Sequence, residues 1–377
     1  MTVLAGARMV TPGGVVEGWL EVSGKRIAAL GPGVPPRAAD RDLGGQWLVP
    51  GFVDIHVHGG ARASYMSGDQ DEAASVADVH RRHGTTTTMA SLVTGTEDSL
   101  AATVASLAEM VDDGMLAGVH LEGPFLARAR CGAHDPALLR TPEPALVERL
   151  LAAGRGAVRM VTIAAELPHA AEAVQQIIGA GALAAVGHTD ATYDETRAAL
   201  GAGATVGTHL FNAMRPLHHR EPGPVPALLE DDAVTVELIC DGVHLHPAVV
   251  RTAVAAAGAG RVALVTDAMA ATGAGDGDYV LGALAVRVED GVARLVEGGA
   301  IAGSTLTMDR AFRFAVEAGV PVEDAVLMSS TNPARLLGLS ERVGAIAAGL
   351  DADLVVLDDG FARTAVMARG SWLDQPL

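Results

Sequence analysis

The chain of 377 residues contains a single lysine, Lys25, and no segment rich in lysine or arginine. Its 27 lysine and arginine residues are outnumbered by 45 aspartate and glutamate residues, so the formal net charge is −18. Nucleic acids and anionic membrane surfaces are bound largely through clustered basic side chains. The composition therefore argues against both as partners, and an anionic small molecule would need a locally positive pocket.

Cysteine and long apolar runs are also scarce. Cys131 and Cys240 are too few and too far apart for a disulfide framework, so we expect free thiols. No run of about 18 apolar residues occurs. Residues 1–14 lack a positive segment followed by an unbroken apolar stretch, which a secretory signal would have. We therefore expect a soluble, cytoplasmic protein.

The middle of the chain contains eight short apolar segments rich in β-branched residues, and most are followed by a segment with helical spacing of apolar residues. Strands that alternate with helices predict a parallel sheet covered by helices. Eight such units predict an α/β fold of the (β/α)8 TIM-barrel type. We expect strands at Phe52–His56, Thr85–Ser91, Leu116–Glu122, Val158–Ala164, Leu183–His188, Thr205–His209, Val234–Cys240 and Val262–Asp267, and helices at Asp98–Val111, Pro168–Ile178, Glu195–Leu200 and Pro247–Ala256.

Both ends of the chain consist of short β-like segments separated by glycine and proline. We expect the two ends to pair and to form one small β-sandwich beside the barrel. The predicted division is residues 1–48 and 345–377 for the small domain and 49–344 for the barrel. An insertion near residues 279–297 is expected to be a hairpin of two strands joined at Asp290-Gly291.

Side chains that can bind a metal ion stand at the ends of several predicted strands. His56 and His58 are two residues apart on a strand and so point to the same face, and Glu122 would be a costly buried charge without a cation. The carboxyl ends of barrel strands meet above the core, so these side chains should converge. The further candidates are His188, His209 and Asp267. Taken singly, each histidine could be a buried residue satisfied by the backbone, and Asp267 could be a helix cap.

Nitrogen and oxygen ligands without sulfur are typical of Zn²⁺ or Fe²⁺. Many two-metal barrels bridge their ions with a carboxylated lysine, but Lys25 lies outside the predicted barrel. Glu122 is then the strand-end residue placed to bridge two ions, or to hold one. We expect one or two divalent ions per subunit.

Nine short motifs are spread over nearly the whole chain: Pro50–Gly59, His120–Phe125, Gly187–Asp190, Thr208–Met214, Arg220–Gly223, Asp241–His244, Leu264–Ala268, Gly303–Met308 and Ala352–Leu357. With these motifs the chain resembles the amidohydrolase superfamily and, within it, the N-acetylglucosamine-6-phosphate deacetylases. The first and last motifs occur across the superfamily. The run from His209 through Asn212 to Arg220 is more specific.

The resemblance implies metal-dependent hydrolysis of N-acetylglucosamine 6-phosphate to glucosamine 6-phosphate and acetate, a reaction of amino sugar catabolism and cell-wall recycling. Glu122, His188 and His209 would hold the principal ion. His56 and His58 would hold a second, with Glu122 and Asp267 shared. A bound divalent ion can lower the pKa of its water from 15.7 to roughly 7. Asp267 would accept the proton as hydroxide attacks the acetyl carbonyl, and would then protonate the departing amine.

The resemblance also implies the contacts with a phosphorylated amino sugar. His134 would donate to the forming oxyanion or to a sugar hydroxyl. Some phosphate contacts in related enzymes come from the neighbouring subunit, so a homodimer with shared sites is implied. The remaining substrate contacts would be Arg220 and His244 for the phosphate, Asn212 and Ala213 for polar and backbone groups, and Leu306 beside the acetyl group and sugar.

Two other functions remain open at this point. Another amidohydrolase, acting on a cyclic amide or a dipeptide, would share the barrel and the ligands but would give no reason for Arg220 and His244. A non-catalytic phosphosugar-binding protein would have no need of Asp267. Cys131 stands where a lysine is common in the family, and is either a free loop thiol without a role or an oxidation-sensitive part of a lid. We expect His246 to be structural.

Overall fold

A closed parallel barrel occupies the centre of the structure, a computed structural model that describes residues 1–373. The final four residues of the predicted segment 345–377 lie outside this range. Seven of the strands pair in chain order, and Phe52–Asp54 pairs with Thr85–Thr88. The barrel closes where Val57 pairs with Ala268. The barrel strands are Phe52–Asp54, Thr85–Thr88 continued by Ala90–Leu92, Val119–Glu122, Val158–Ile163, Leu183–Val186, Val206–Gly207, Thr235–Ile239 and Val262–Val265. The predicted (β/α)8 barrel is confirmed, and each strand overlaps its predicted segment.

Helices follow most of the strands and cover the barrel. Their starts have chemical causes: Thr192 and Glu195 form a reciprocal capping box, and the His246 ring accepts a hydrogen bond from the Ala248 amide. The structural role predicted for His246 is thus confirmed. No helix in residues 1–373 is long and apolar enough to cross a membrane. The α-helices are Gln70–Arg82, Glu97–Asp112, Pro144–Ala153, Ala170–Gly179, Tyr193–Gly201, Pro224–Glu230, Pro247–Ala257, Met308–Glu317, Val322–Val326 and Asn332–Leu336, with a π-helical turn at Leu327–Thr331 and 3₁₀ turns at Tyr65–Ser67, Arg128–Arg130 and Ala259–Arg261.

The two ends of the chain share one sheet beside the barrel. Trp47–Pro50 pairs antiparallel with Leu354–Leu357, which joins the amino-terminal and carboxy-terminal segments. The edge strand Arg26–Pro32 returns to meet Asp351, so the sheet closes around its own apolar core. Its strands are Thr2–Thr11, Gly14–Ser23, Arg26–Pro32, Arg41–Asp42, Trp47–Pro50, Leu354–Leu357, Arg363–Ala368 and Ser371–Trp372. We retain residues 1–48, 49–344 and 345–377 as the proposed division of the chain.

The insertion after the eighth barrel strand differs from the prediction. It contains three strands, Gly277–Leu281, Leu284–Glu289 and Val292–Leu295, where two were expected. The turn at Asp290-Gly291 is present as predicted. The additional turn follows Leu281, where Gly282 adopts a φ of 57° that glycine tolerates without strain. A smaller hairpin pairs Gly59–Gly60 with Ala63–Ser64.

The first and eighth barrel strands are tied together by a buried polar contact. The Thr266 hydroxyl donates to Asp54 Oδ2 at 2.6 Å, and the His56 amide donates to Asp54 Oδ1 at 3.2 Å. Burial raises the pKa of the Asp54 carboxyl to about 7, although these hydrogen bonds oppose the rise. Because Asp54 lies two residues before His56 and Thr266 lies directly before Asp267, this contact fixes the closure of the barrel next to the predicted site.

We expect Thr266→Val to lower the free energy of unfolding by about 1–3 kcal/mol, because it leaves the buried Asp54 carboxyl short of a donor. Urea denaturation followed by circular dichroism measures this change. The matched control is Thr252→Val, on the exposed face of the helix Pro247–Ala257. Equal stability of the two variants would contradict the role given to the Thr266–Asp54 contact.

Candidate metal centre and active site

Three predicted site residues share one local geometry at the mouth of the barrel. His188, His209 and Asp267 each stand two residues after the end of a strand. All three adopt left-handed backbone conformations, with φ of 46°, 27° and 50°. This conformation costs a non-glycine residue on the order of 1–3 kcal/mol and is concentrated at functional sites. The strand ends thus carry these side chains in a strained arrangement that the surrounding fold must hold.

The carboxylate of Glu122, the last residue of its strand, lies at the centre of the cluster and is almost fully buried. Among the residues described, five histidine rings approach it through their Nε2 atoms. The distances are 2.9 Å for His209, 3.1 Å for His188 and 3.4 Å for His56 to Oε1, and 3.2 Å for His58 and 3.3 Å for His134 to Oε2. Asp267 completes the cluster, with Oδ1 3.1 Å from His58 Nε2.

The partners of the Nδ1 atoms determine which ring nitrogen carries the proton. In three histidines Nδ1 faces an oxygen that can only accept, so Nδ1 must be the protonated nitrogen, and in the neutral ring Nε2 keeps a free lone pair. The contacts are His56 to Glu237 Oε2 at 3.0 Å, His58 to the Ser91 carbonyl at 3.1 Å, and His188 to the Arg130 carbonyl at 2.9 Å. All three lone pairs therefore point into the cluster.

This arrangement fits a divalent metal ion. The Nε2 atoms of His56 and His58 are 3.1 Å apart, as are those of His188 and His209. Lone pairs that face each other and a carboxylate at this distance repel unless a cation lies between them. Ligands bound tetrahedrally at about 2.1 Å stand roughly 3.4 Å apart, close to the separations in the cluster. The donors are nitrogen and oxygen, as zinc and iron sites use.

The electrostatics of the cluster also favour positive charge. Burial alone would lower the pKa of His58, but hydrogen bonds with Asp267 and Glu122 raise it to about 9. Burial alone would raise the pKa of Glu122, but the neighbouring His56 and His188 hold it well below its usual range. The site therefore keeps its carboxylate ionised and attracts a cation.

Two groups of ligand atoms overlap at Glu122. The atoms of His56, His58, Glu122 and Asp267 all lie within 4.8 Å of one another, and so do those of Glu122, His134 and His188. Glu122 is the member common to both groups, which is the position a bridging ligand takes.

His134 differs from His56, His58 and His188 in which ring nitrogen carries the proton. The Thr94 amide, which can only donate, lies 3.2 Å from His134 Nδ1. Nδ1 is therefore the acceptor, and Nε2 carries the hydrogen that faces Glu122. Burial lowers the pKa of His134 to about 4, so the ring is neutral. A neutral ring with an N–H at its inner end is suited to donate a hydrogen bond and not to bind a metal.

A cavity of about 340 Å³ opens above the cluster. Its volume lies within the usual range for small-molecule sites. Its lining includes nine of the residues predicted from the sequence: His58, Glu122, His134, His188, His209, Asn212, Ala213, His244 and Asp267. His56 is fully buried beneath them.

Besides His56, two further predicted residues are not among those that line this cavity. Leu306 is 2% exposed and lies in the core. Arg220 is exposed on the loop before the helix Pro224–Glu230, where its guanidinium lies 2.8 Å from His219 Nε2. The structure thus brings the metal-ligating candidates together and leaves Arg220 outside its own cavity.

His244 lies at the cavity wall beside a carboxylate. Its Nδ1 lies 2.7 Å from Asp241 Oδ2. Burial would lower the pKa of His244, but Asp241 outweighs it and raises that pKa. The ring is thereby biased towards the charged form beside a cavity that also holds Asp267 and Glu122.

Several residues of the site were not predicted from the sequence. Arg130 lines the cavity and forms an ion pair with Asp190 at 2.8 Å. Leu281 reaches the cavity from the three-stranded insertion. Glu237 supports His56 from below. A signal existed for Glu237 alone, since it is the one charged residue within the apolar run Val234–Cys240.

The barrel and its cluster of nitrogen and oxygen metal ligands define a metal-dependent hydrolase of the α/β-barrel class. Comparison with known proteins agrees: residues 47–373 match the model of the Amidohydrolase family, and the chain belongs to this family.

Individual relatives are more specific. A solved N-acetyl-D-glucosamine-6-phosphate deacetylase from Mycobacterium smegmatis, an aspartate-to-alanine variant in complex with N-acetyl-D-glucosamine-6-phosphate, is 50% identical. The superposition has a TM-score of 0.96 and covers 99% of both chains. An N-acetylgalactosamine-6-phosphate deacetylase of Escherichia coli O157:H7 is 36% identical over 98% of both chains. The human N-acetylglucosamine-6-phosphate deacetylase is 38% identical, over 89% of this chain and 85% of that relative.

We expect Glu122→Gln to lose most of its bound metal and its activity, because the substitution removes the negative charge at the centre of the cluster. Metal analysis of the dialysed protein measures the loss. Glu148→Gln, exposed on the helix Pro144–Ala153, is the matched control. Full metal content with near-normal turnover in Glu122→Gln would show that Glu122 is not a ligand.

Proposed function

We propose that this chain hydrolyses the acetamide of N-acetyl-D-glucosamine 6-phosphate to give acetate and D-glucosamine 6-phosphate. The observation that carries the proposal is the Glu122-centred cluster at the floor of a 340 Å³ cavity. The relatives support the substrate class, since those described above are named deacetylases of N-acetylated hexosamine 6-phosphates.

The proposed cofactor is Zn²⁺ or Fe²⁺, with one or two ions per subunit. Glu122, His188 and His209 would hold the principal ion, and His56 and His58 a second that shares Glu122 and Asp267. Such an ion supplies Lewis acidity towards the acetyl carbonyl and lowers the pKa of water.

Asp267 is the proposed general base and acid. Its side chain is 11% exposed and lines the cavity, so it can reach a water molecule and the acetamide nitrogen. The carboxylate takes a proton from the attacking water and returns one to the departing sugar amine. His134, with its N–H directed into the cavity floor, donates to the acetyl oxygen as charge develops there or to a sugar hydroxyl.

Recognition of the phosphate is assigned to His244 and Arg220. His244 belongs to the subunit that holds the metal cluster. Arg220 is exposed and absent from its own cavity lining, which supports its donation to the site of a neighbouring subunit in a homodimer. Asn212 and Ala213 line the cavity and would offer polar and backbone groups to the sugar. Leu306 would pack behind the acetyl group.

Assays with four substrates, acetate release for the three N-acetylated sugars and peptide cleavage for a dipeptide, test the proposal. We expect efficient release from N-acetylglucosamine 6-phosphate and much slower release from unphosphorylated N-acetylglucosamine. N-acetylgalactosamine 6-phosphate is included because of the relative from Escherichia coli. A β-aspartyl dipeptide tests the alternative amidohydrolase function, the cleavage of a dipeptide. A solved β-aspartyl dipeptidase of Fervidobacterium islandicum, 18% identical with a TM-score of 0.62, shares only the fold with this chain. Dipeptide cleavage without acetate release would overturn the proposal.

We expect Asp267→Asn to lower turnover by at least about 10²-fold, because the amide cannot carry the proton. Most of the bound metal and of the substrate affinity should be retained, since Asp267 is not among the proposed ligands of the principal ion and Asn keeps the shape of the side chain. Steady-state acetate release measures turnover and substrate affinity, and metal analysis measures the metal content. Turnover equal to that of the unaltered enzyme would rule out the assigned role.

We expect Arg220→Ala to reduce kcat/KM for the 6-phosphorylated sugar by about 10- to 150-fold, the equivalent of a charged hydrogen bond of roughly 1.5–3 kcal/mol. The effect on unphosphorylated N-acetylglucosamine should be small. Arg313→Ala, on the exposed face of the helix Met308–Glu317, is the matched control. Equal losses on both sugars would mean that Arg220 does not recognise the phosphate.

Mixed dimers test whether Arg220 acts on the neighbouring site. A dimer of one Arg220→Ala subunit and one Asp267→Asn subunit has one intact composite site if the sites are shared. We expect activity to reappear on mixing the two weak variants under subunit exchange. No recovery, with heterodimers shown by mass spectrometry, would place Arg220 in its own subunit's site or outside any site.

A further inference from the structure

Glu237 is a fully buried carboxylate beneath the metal centre, on the seventh barrel strand Thr235–Ile239. It does not line the cavity, and the reaction proposed above gives it no part. We propose that Glu237 is a positioning residue that ties together the two halves of the metal centre, the His56–His58 pair and the His188–His209 pair.

One oxygen of Glu237 contacts both halves. Oε2 accepts a hydrogen bond from His56 Nδ1 at 3.0 Å and another from the His209 backbone amide at 3.1 Å. The backbone carbonyl of Glu237 also accepts from the Leu210 amide at 2.8 Å. Within residues 1–373, Oε1 is buried and has no hydrogen-bond partner. Among the described residues, the hydrogen bonds to this carboxylate thus come from these two histidines alone.

The contact with His56 determines how that ring can bind a metal. An ionised carboxylate only accepts, so it keeps the proton on Nδ1 and leaves the Nε2 lone pair facing His58 and Glu122. The other tautomer would point an N–H into the cluster and block ligation. A carboxylate behind a metal-binding histidine also makes the ring a stronger donor. His58 and His188 have neutral backbone carbonyls in this position, so His56 alone of the three receives this charge.

The contact with His209 determines where the opposite ligand stands. His209 has the smallest positive φ of the three strand-end residues, 27°, and this strained backbone needs an external partner. The Glu237 carboxylate provides that partner through the His209 amide. A single substitution of Glu237 therefore affects one ligand in each half of the metal centre, His56 and His209. A substitution of either histidine directly changes a ligand in one half only.

This inference rests on the metal centre of the proposed function and is tested by metal binding, independently of acetate release. Titration of the metal-free protein with Zn²⁺ in a calorimeter gives affinity and stoichiometry. We expect Glu237→Ala to weaken binding by about 10- to 100-fold, the usual effect of losing a partner behind a ligand. Thr235→Val, a buried change on the same strand two residues away, is the matched control and should bind Zn²⁺ normally.

Glu237→Gln removes the charge of the side chain but keeps its shape. This variant keeps the test decisive if Glu237→Ala does not fold. It retains an oxygen that can accept both hydrogen bonds, so the barrel should fold, as circular dichroism of the metal-free protein would show. Loss of the charge should still weaken Zn²⁺ binding and shift the visible spectrum of the Co²⁺-loaded protein, which a purely structural role would leave unchanged. Unaltered affinity, stoichiometry and spectrum in a folded Glu237 variant would overturn the inference. A wild-type protein that binds Zn²⁺ but releases no acetate would overturn the proposed substrate and leave this inference standing.

Discussion

The site depends on a buried carboxylate that lies among several imidazole rings. Glu122 is almost fully buried, and rings from four separate stretches of chain direct Nε2 towards it. A charge in such surroundings is stable only beside a cation. The acceptors behind His56, His58 and His188 prevent the rings from turning their N–H groups inward. This packing therefore fits a divalent metal ion, and the chemistry proposed for the cavity above it depends on that ion.

The barrel provides the rigidity that this arrangement needs. The ligands stand at or just after strand ends, and hydrogen bonds from other segments of the chain hold the strained backbone at His188, His209 and Asp267. Asp267 illustrates the point: its amide donates to the His56 carbonyl at 2.9 Å across the closure of the barrel. The residue proposed to move protons is thus anchored to the strand that carries two ligands. A loop without this support would not keep the same geometry.

Much of this arrangement could be predicted from the sequence because strand ends in a barrel meet at one face. The spacing of apolar residues and the β-branched composition located all eight strands. Side chains at or just after the ends of several of these strands converge at the metal centre. Glu237 carried a signal as the one charge in an apolar strand, but its role could not be predicted because it depends on which ring lies above it in the fold. The third strand of the insertion was missed because a turn at Gly282 leaves only a weak signal. Arg220 belongs to a specific motif, but the fold leaves it exposed and outside the lining of its own cavity, which the motif alone could not reveal.

The most direct test of the account is a titration of the chelated protein with Zn²⁺ or Fe²⁺ that follows bound metal and acetate release from N-acetylglucosamine 6-phosphate together. The account predicts no release from the metal-free protein, and activity that rises in step with bound ion and saturates at one or two ions per subunit. Full acetate release by a protein that contains no ion would contradict the central role of the Glu122 cluster.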